Sequence, residues 1–209
     1  MRPSRMSLVA LCAALLAGPA AAEVKTFGNA VNIAKVPGVT LGTAQRKALK
    51  HYSRKKAYFG AFFVVPDTDH YFWTRNFHSL DTARAAAKQG CEIVSEGKAC
   101  TLYALLYPKG TDPNTARLEG LSQRTAKEFL NRYPKRQKNG KFGAFAINGA
   151  NGYGVSYGWP NAAEANEAAA AYCNAQSARD LASLGIAGRK WAQSKGLDKC
   201  RVIDTHSPD

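Results

Sequence analysis

Hydrophobic positions along this chain fall into two similar series of short elements. Each series begins with a helical pattern, at residues 43–52 in the first and at residues 122–133 in the second. The tetrapeptide FGAF follows in both, at residues 59–62 and 142–145, where it lies in an apolar strand. A polar turn and a second strand come next, so each series predicts a β-hairpin.

An alanine-rich helix follows each predicted hairpin. Ser79 is the predicted N-cap in the first series, and Asn161 is the N-cap in the second, with Glu164 three residues on as the partner in a capping box. We expect both helices to end at a cysteine, Cys91 in the first series and Cys173 in the second. Their small alanine side chains favour close packing against a sheet.

Each series closes with an apolar strand, predicted at residues 101–107 and at residues 201–203. The second series carries an insert before that strand, and we expect a short helix around residues 189–195. The order in both series is helix, strand, strand, helix, strand. This order predicts an α+β fold with antiparallel hairpins.

The two series also align residue by residue with a single one-residue gap. Aligned pairs are Phe59 with Phe142, Tyr71 with Tyr153, Phe77 with Trp159, Ser79 with Asn161, Ala83 with Ala165, and Cys91 with Cys173. We therefore predict two tandem repeat units packed as one pseudo-twofold body. The predicted boundaries are a signal peptide at 1–22, an N-terminal extension at 23–42, unit one at 43–110, a linker at 111–121 and unit two at 122–209.

The first residues have the pattern of a secretory signal peptide. Arg2 and Arg5 precede an apolar stretch at residues 7–16, and an Ala-x-Ala signature ends at Ala22. That apolar stretch is shorter than the roughly 20 residues that a membrane-spanning helix needs. We expect cleavage near Ala22 and a periplasmic or secreted protein.

Four cysteines follow the predicted cleavage site, and an even number in an exported chain favours disulfides. Four cysteines allow three pairings. Because each repeat unit holds two of them, the simplest solution is one bond inside each unit. The predicted pairs are Cys91 with Cys100 and Cys173 with Cys200.

The second unit carries the motifs FGAFAI, YGVSYG, NAAEANEAAAAYC and CRVI. With these motifs the chain resembles a family of small exported bacterial domains of unknown function, over about residues 58–106 and 141–204. The first unit departs from the pattern, since HYFWTRNF replaces the glycine-rich second strand. The resemblance implies an exported α+β domain and no particular reaction.

Two-unit proteins of similar appearance are sometimes labelled 5-aminolevulinate synthase. The residues do not support that label, because such an enzyme resembles large pyridoxal-phosphate proteins with a Schiff-base lysine and a carboxylate for the pyridine nitrogen. The sequence shows no such constellation and is too short for that fold. We therefore expect no cofactor.

The segment PDTDHYFW at residues 66–73 is the most enzyme-like part of the chain. Asp67, Asp69 and His70 are close in sequence, and His78 follows at a distance that allows it to fold back. A metal-dependent or acid-base hydrolase is the alternative function that these residues suggest. A polar hairpin turn explains the same residues, so we assign no catalytic residue and no metal ligand.

Charge supplies the other functional indication. The chain carries 29 Lys and Arg against 15 Asp and Glu, a net charge of +14. One basic cluster lies around the end of the first helix in each unit, and the predicted anion-binding members of the two clusters are Lys50, Arg54, Lys55, Lys56, Arg132, Lys135 and Arg136. We predict a non-enzymatic binding or structural module that contacts an anionic envelope polymer or a membrane surface. Export argues against nucleic acid as its natural partner.

Overall fold

The structure is a computed structural model that describes residues 24–54 and 57–208. The predicted signal peptide lies outside the described residues, as do the predicted anion-binding residues Lys55 and Lys56. Over the described ranges the chain is a mixture of helices and two antiparallel sheets, which confirms the α+β prediction. No helix in these ranges combines the length and the apolar character needed to cross a membrane.

The first half of the chain builds a four-stranded sheet with two helices. Its strands lie in the order β1-β4-β2-β3, and every neighbouring pair is antiparallel. The elements are β1 (Val31–Lys35), α1 (Thr43–Arg54), β2 (Gly60–Val64), β3 (Tyr71–Thr74), α2 (Leu80–Val94) and β4 (Thr101–Pro108).

The second half builds a three-stranded antiparallel sheet in the order β6-β5-β7. If each sheet is read from the last strand of its half, the strand order is β4-β2-β3 in the first sheet and β7-β5-β6 in the second, so the three shared strands have the same arrangement. The elements are α3 (Gln123–Lys127), a π-helical turn (Glu128–Arg132), a 3-10 turn (Pro134–Arg136), β5 (Phe142–Ile147), β6 (Tyr153–Trp159), α4 (Ala162–Ala182), α5 (Ile186–Ser194) and β7 (Arg201–His206).

The central strand of the first sheet is buried on both faces. Successive side chains of a strand point to opposite faces, so Ala61 and Phe63 pack against α2 while Phe62 and Val64 pack against α1. The all-apolar sequence GAFFV suits this double burial better than an alternating pattern would. A layer of helix therefore covers each face of the sheet.

The central strand of the second sheet is arranged in the same way. Ala144 and Ala146 pack against α4, and Phe145 and Ile147 belong to the core that includes α3. The small alanines of β5 meet small residues of α4, all fully buried: Ala165, Ala169 and Cys173. Small side chains on both surfaces bring the helix close to the sheet.

Both predicted caps of the alanine-rich helices are present. The Ser79 hydroxyl accepts a hydrogen bond from the Thr82 amide at 3.3 Å. Asn161 Oδ1 accepts from the Glu164 amide at 2.9 Å, and Asn161 Nδ2 donates to the Glu164 carboxylate at 2.8 Å. These bonds satisfy helix N–H groups that have no partner within the helix.

A hydroxyl on the second strand of each hairpin fixes the following helix to the sheet. Thr74 Oγ1 donates to the Ala83 carbonyl at 2.7 Å, and Ser156 Oγ donates to the Ala165 carbonyl at 2.7 Å. Ser156 Oγ also accepts from the Ala144 amide at 3.0 Å. All these groups are buried, so the hydroxyls join strand and helix without contact with water.

Both predicted disulfides are present. Cys91 and Cys100 have Cα atoms 6.2 Å apart, and Cys173 and Cys200 have Cα atoms 6.1 Å apart. The prediction that each helix ends at its cysteine is wrong, because α2 continues to Val94 and α4 to Ala182. No glycine or proline follows Cys173 until Gly185, so nothing in the sequence stops α4 earlier.

Other differences concern the ends of the chain and one helix. The predicted helix at residues 122–133 is α-helical only as far as Lys127 and then widens into the π-helical turn. The last strand is longer than predicted and reaches His206. The N-terminal extension adds an unpredicted strand, β1, which covers an edge of β4.

The N-terminal extension also connects the two cores. Val24 packs in the core of the second half, and Phe27 packs in the core of the first. The Lys25 carbonyl accepts a hydrogen bond from the Leu121 amide at 2.8 Å. Residues before the first predicted repeat unit are therefore part of the folded structure.

Candidate functional site

The predicted acid-base residues lie on the turn between β2 and β3. Asp67, Asp69 and His70 are all exposed there. Asp69 Oδ1 accepts a hydrogen bond from the Ala44 amide at 3.1 Å, so this carboxylate caps the start of α1. The buried Gln45 side chain donates to the His70 carbonyl at 2.8 Å and also holds the turn. These hydrogen bonds hold α1 against the β2–β3 hairpin.

No cluster of three or more histidine, cysteine, aspartate or glutamate side chains suited to a metal ion occurs in residues 24–54 and 57–208. His78 does not fold back toward Asp69 and His70. It lies instead at the junction between the two halves of the chain, where it is buried.

His78 connects the second half of the chain to the first through its ring and its backbone. Its Nδ1 accepts from the Ser122 amide at 3.0 Å, and its Nε2 lies 3.3 Å from the Gly152 carbonyl. Its own amide donates to the Ala150 carbonyl at 2.8 Å, and its carbonyl accepts from the Gly120 amide at 2.9 Å. Burial lowers the pKa of His78 from 6.5 to about 4, so the ring is neutral near neutral pH.

The turn between β5 and β6 is held by one buried amide side chain. Asn148 Oδ1 accepts from the amides of Ala150 and Gly152, at 3.0 and 2.8 Å. Asn148 Nδ2 donates to the Ser177 hydroxyl on α4 at 2.7 Å. The turn is therefore fixed to α4 on one side and to His78 on the other.

An open cleft of about 810 Å³ lies beside this junction. One wall comes from β3 and α2, and the other comes from the end of α4 and from α5. The β5–β6 turn, through Asn148, Ala150 and Asn151, also lines it. Both halves of the chain contribute to the cleft.

The cleft is lined mainly by apolar and aromatic groups. Phe72, Trp73 and Phe77 contribute from the first half, and Trp191 contributes from α5. The Arg75 guanidinium lies over the Trp73 ring, 4.7 Å from its centroid. Aromatic walls with a few polar groups are typical of small-molecule sites.

Exposed apolar side chains gather at the cleft. Eight large hydrophobic residues are exposed in the described part of the chain, and four of them line this cleft: Ile93, Val94, Leu184 and Ile186. Ile186 is the most exposed of the four, with 74 % of its surface accessible. Contiguous exposed apolar surface of this kind is typical of ligand grooves and interaction sites.

Charged groups are few within the cleft. Among the described lining residues they are Arg75, Asp180 and Asp198. Asp180 Oδ1 accepts from Gln176 Nε2 at 2.8 Å. Asp198 Oδ1 is buried and has no hydrogen-bond partner among the described residues. A buried acceptor without a donor is costly and therefore stands out.

A smaller polar pocket of about 200 Å³ shares Asn151 and Asp180 with the cleft. Arg124 lies at this pocket with its guanidinium 5.7 Å from the Tyr153 ring centroid. The cleft thus has a polar neighbour on the side of the second half.

None of the five described basic residues predicted to bind anions lines the cleft. Lys50 and Arg54 are exposed in the second half of α1, and Lys135 and Arg136 are exposed in the 3-10 turn after α3. Arg132 forms an ion pair with Glu128 at 3.4 Å. The structure gives these residues access to solvent.

Sequence reasoning did not find the cleft. Its second wall comes from the insert between Cys173 and Cys200, which has no counterpart in the first unit. The signal in the sequence that could have indicated the cleft was the apolar character of this insert. Four large apolar residues are unusual in a surface insert: Leu181, Leu184, Ile186 and Trp191.

Comparison of the chain with known protein families, curated proteins and solved structures finds no match. The structure defines an α+β protein with a cleft lined by both halves of the chain, and the residues themselves must support any functional conclusion.

Proposed function

We propose that the chain is a non-enzymatic binding module of an exported protein, and that the cleft between α2 and α5 binds a small apolar organic ligand. The single observation that carries this proposal is the cleft of about 810 Å³, which both halves of the chain line with aromatic and apolar side chains. Its size falls within the range of roughly 300–1,000 Å³ that is usual for small-molecule sites.

The exposed apolar side chains at the cleft give the energetic reason for binding. Water in contact with Ile93, Leu184 and Ile186 is displaced when an apolar ligand enters. Each 100 Å² of apolar surface removed from water contributes about 2.5 kcal/mol before the entropic cost of association. A ligand of modest size that covers both walls therefore binds measurably.

Export and repetition are part of the same proposal. Two disulfides suit an oxidising compartment. Matched contacts favour duplication of one unit: Ser95 Oγ lies 3.8 Å from Cys100 Sγ, and Ser177 Oγ lies 3.8 Å from Cys200 Sγ. On this view the chain joined two copies of one small exported domain, and the junction between them supplied the cleft.

Binding of a neutral fluorescent probe tests the proposal. N-phenylnaphthylamine becomes bright in apolar surroundings, so titration should give a saturable rise in fluorescence with one probe per chain. Gly188 on α5 lines the cleft, and a Cβ there would meet only Leu184 at an ordinary 3.6 Å. Gly188→Phe should therefore fill the cleft and weaken binding about tenfold or more, while Gly188→Ala should retain it.

The Ala variant is the matched control, since it makes the same backbone change without filling the space. Equal binding by the Phe and Ala variants would contradict the assignment of the probe to this cleft. Absence of saturable binding to the unmodified chain would contradict the proposed function itself.

A second candidate partner is an anionic envelope polymer or membrane surface. The observation that favours it is the exposure of basic residues near the ends of equivalent helices, with Lys50 and Arg54 in the second half of α1 and Lys135 and Arg136 in the 3-10 turn after α3. Such clusters attract polyanions in a salt-dependent manner.

Heparin retention tests this second candidate. Lys50→Glu combined with Lys135→Glu should lower the salt concentration needed for elution. The control is Lys98→Glu combined with Lys109→Glu, which makes the same change of charge at two other exposed positions. Equal shifts for both pairs would indicate a response to net charge and would contradict a specific basic surface.

A further inference from the structure

We propose that the cleft selects apolar ligands that carry a protonated amine, with Asp198 as the residue that binds the amine. This inference rests on the proposed function, because it specifies the chemistry of a ligand for the same cleft. It concerns the polar end of that ligand, whereas the apolar walls bind the rest.

Asp198 is one of the residues that line the cleft. One of its oxygens, Oδ1, is buried in the wall of the cleft without a hydrogen-bond donor among the described residues. Buried acceptors in folded proteins are almost always paired, and an unpaired one costs about 1–3 kcal/mol. Because this oxygen is buried, a ligand N–H group reaches it only after the Asp198 side chain turns toward the cleft, and the bond formed there removes that cost.

The charge balance of the cleft lining differs from that of the whole chain. The chain as a whole has 29 basic and 15 acidic side chains. The described lining of the cleft reverses this balance, with the carboxylates of Asp180 and Asp198 against the guanidinium of Arg75, and it includes no lysine. An acidic recess in a basic protein favours a cation over an anion, because nearby carboxylates act at short range while distant surface charges are screened.

Aromatic side chains form part of the cleft lining. Phe72, Phe77 and Trp191 line the same cleft as Asp198. The faces of aromatic rings attract ammonium groups and also pack against apolar chains. Walls of this kind suit both parts of an organic amine.

The position of Arg75 is compatible with this selection. Its guanidinium lies over the Trp73 ring at 4.7 Å, so the ring holds this cation against the β3 wall. The two carboxylates lie on other elements than Arg75, Asp180 in α4 and Asp198 in the segment after α5.

Competition between three probes of equal chain length tests the inference. Octylamine is protonated at neutral pH, octanol is neutral, and octanoate is anionic. Each is titrated against the complex of the unmodified chain with N-phenylnaphthylamine. We expect octylamine to displace the probe at a concentration about tenfold lower than octanol, and octanoate to be the weakest, because a charge-assisted hydrogen bond favours the amine.

Substitution of the carboxylate locates the preference. Asp198→Asn keeps the shape of the side chain and removes its charge, so the preference for octylamine over octanol should fall about tenfold. Glu167→Gln makes the same chemical change at an exposed position on α4 outside the cleft lining, and it should leave the preference unchanged.

The outcomes separate this inference from the proposed function. Equal displacement by octylamine and octanol in the unmodified chain would overturn amine selection, whether or not the Asp198 variant folds, while the cleft would remain a binding site. A preference that survives Asp198→Asn unchanged would also overturn the inference. Failure of all three compounds to displace a bound probe, or failure of the probe to bind, would count against the apolar cleft itself.

Discussion

The amide of Ser122 donates a hydrogen bond to Nδ1 of His78 across 3.0 Å in the buried junction between the two halves of the chain. Because Nδ1 accepts this bond, the proton of the neutral ring lies on Nε2, which faces the Gly152 carbonyl at 3.3 Å. A protonated ring would carry N–H groups on both nitrogens and could no longer accept from Ser122. The junction therefore depends on neutral His78.

Stability should fall in acid because of this histidine. Burial lowers the pKa of His78 from 6.5 to about 4. In the unfolded chain the ring takes up a proton as the pH falls below 6.5, while the folded chain resists protonation until about pH 4. The stabilising contribution is thus present above the unfolded pKa and is lost as the pH falls through this window. Urea unfolding should show a loss of about 2 kcal/mol between roughly pH 7.5 and pH 5 from this group.

His78→Gln supplies the control for the pH effect, since glutamine retains polar atoms but does not titrate in this range. The variant should be less stable than the parent at neutral pH, and its stability should change less between the two pH values. Parallel pH dependence in parent and variant would contradict the role of His78.

Removal of the two disulfides should have unequal effects. In the chain-entropy description, the bond between Cys91 and Cys100 closes a short loop and contributes about 2.7 kcal/mol, and the bond between Cys173 and Cys200 closes a longer loop and contributes about 3.6 kcal/mol. In urea unfolding, replacement of Cys173 and Cys200 by alanine should therefore lower the free energy of unfolding more than replacement of Cys91 and Cys100. A peptide map without reduction that joins Cys91 or Cys100 to either later cysteine would contradict the pairing.

Gly154 on β6 should tolerate no side chain. A Cβ there would lie 2.2 Å from the Cys173 amide nitrogen and 2.3 Å from the Ala169 carbonyl oxygen. Both contacts are with helix backbone, so relief requires α4 to move away from the sheet, and Gly154→Ala should cost about 2 kcal/mol or more. Gly28→Ala is the control, because no heavy atom lies within 4 Å of its added Cβ. Comparable unfolding free energies for the two variants would contradict the close approach of α4.

The elements of the fold could be predicted because local signals agreed in both halves. FGAF and the turn residues after it predicted the hairpins, and Ser79 and Asn161 predicted the helix starts. The disulfide pairing followed from the alignment of Cys91 with Cys173, and the structure contains both bonds. Each of these signals lies within one half of the chain and does not depend on how the two halves pack against each other.

The departure of the first unit from the glycine-rich strand has a packing explanation. Phe72 occupies the position aligned with Gly154, and its ring packs on Gly90 of α2, where an added Cβ would lie 2.4 Å from the ring. In the first half the glycine is on the helix and the large side chain is on the strand. In the second half the glycine is on the strand. Whether the strand carries a large side chain or a glycine depends on the helix that packs against it. The sequence of the strand alone therefore does not explain the difference between the two units.

The cleft was beyond prediction for a related reason. Its walls come from α2 and from α5, which are far apart in sequence and have no shared motif. Likewise, Asp69 was interpreted as a possible acid-base residue, whereas its visible partner is the Ala44 amide at the start of α1. Contacts between segments that are distant in sequence determine both the cleft and the role of Asp69. The spacing of residues within one segment does not predict such contacts.

The tryptophan indole N–H signals in a nitrogen–proton correlation spectrum test the central claim most directly. The chain has three tryptophans, of which Trp73 and Trp191 line the cleft and Trp159 lies on β6 outside its lining. During titration with octylamine, we expect saturable shifts of the Trp73 and Trp191 signals with one common dissociation constant, while the Trp159 signal stays in place. Shifts confined to Trp159, or no saturable shift of the other two at concentrations that displace N-phenylnaphthylamine, would contradict the claim that this cleft binds ligands.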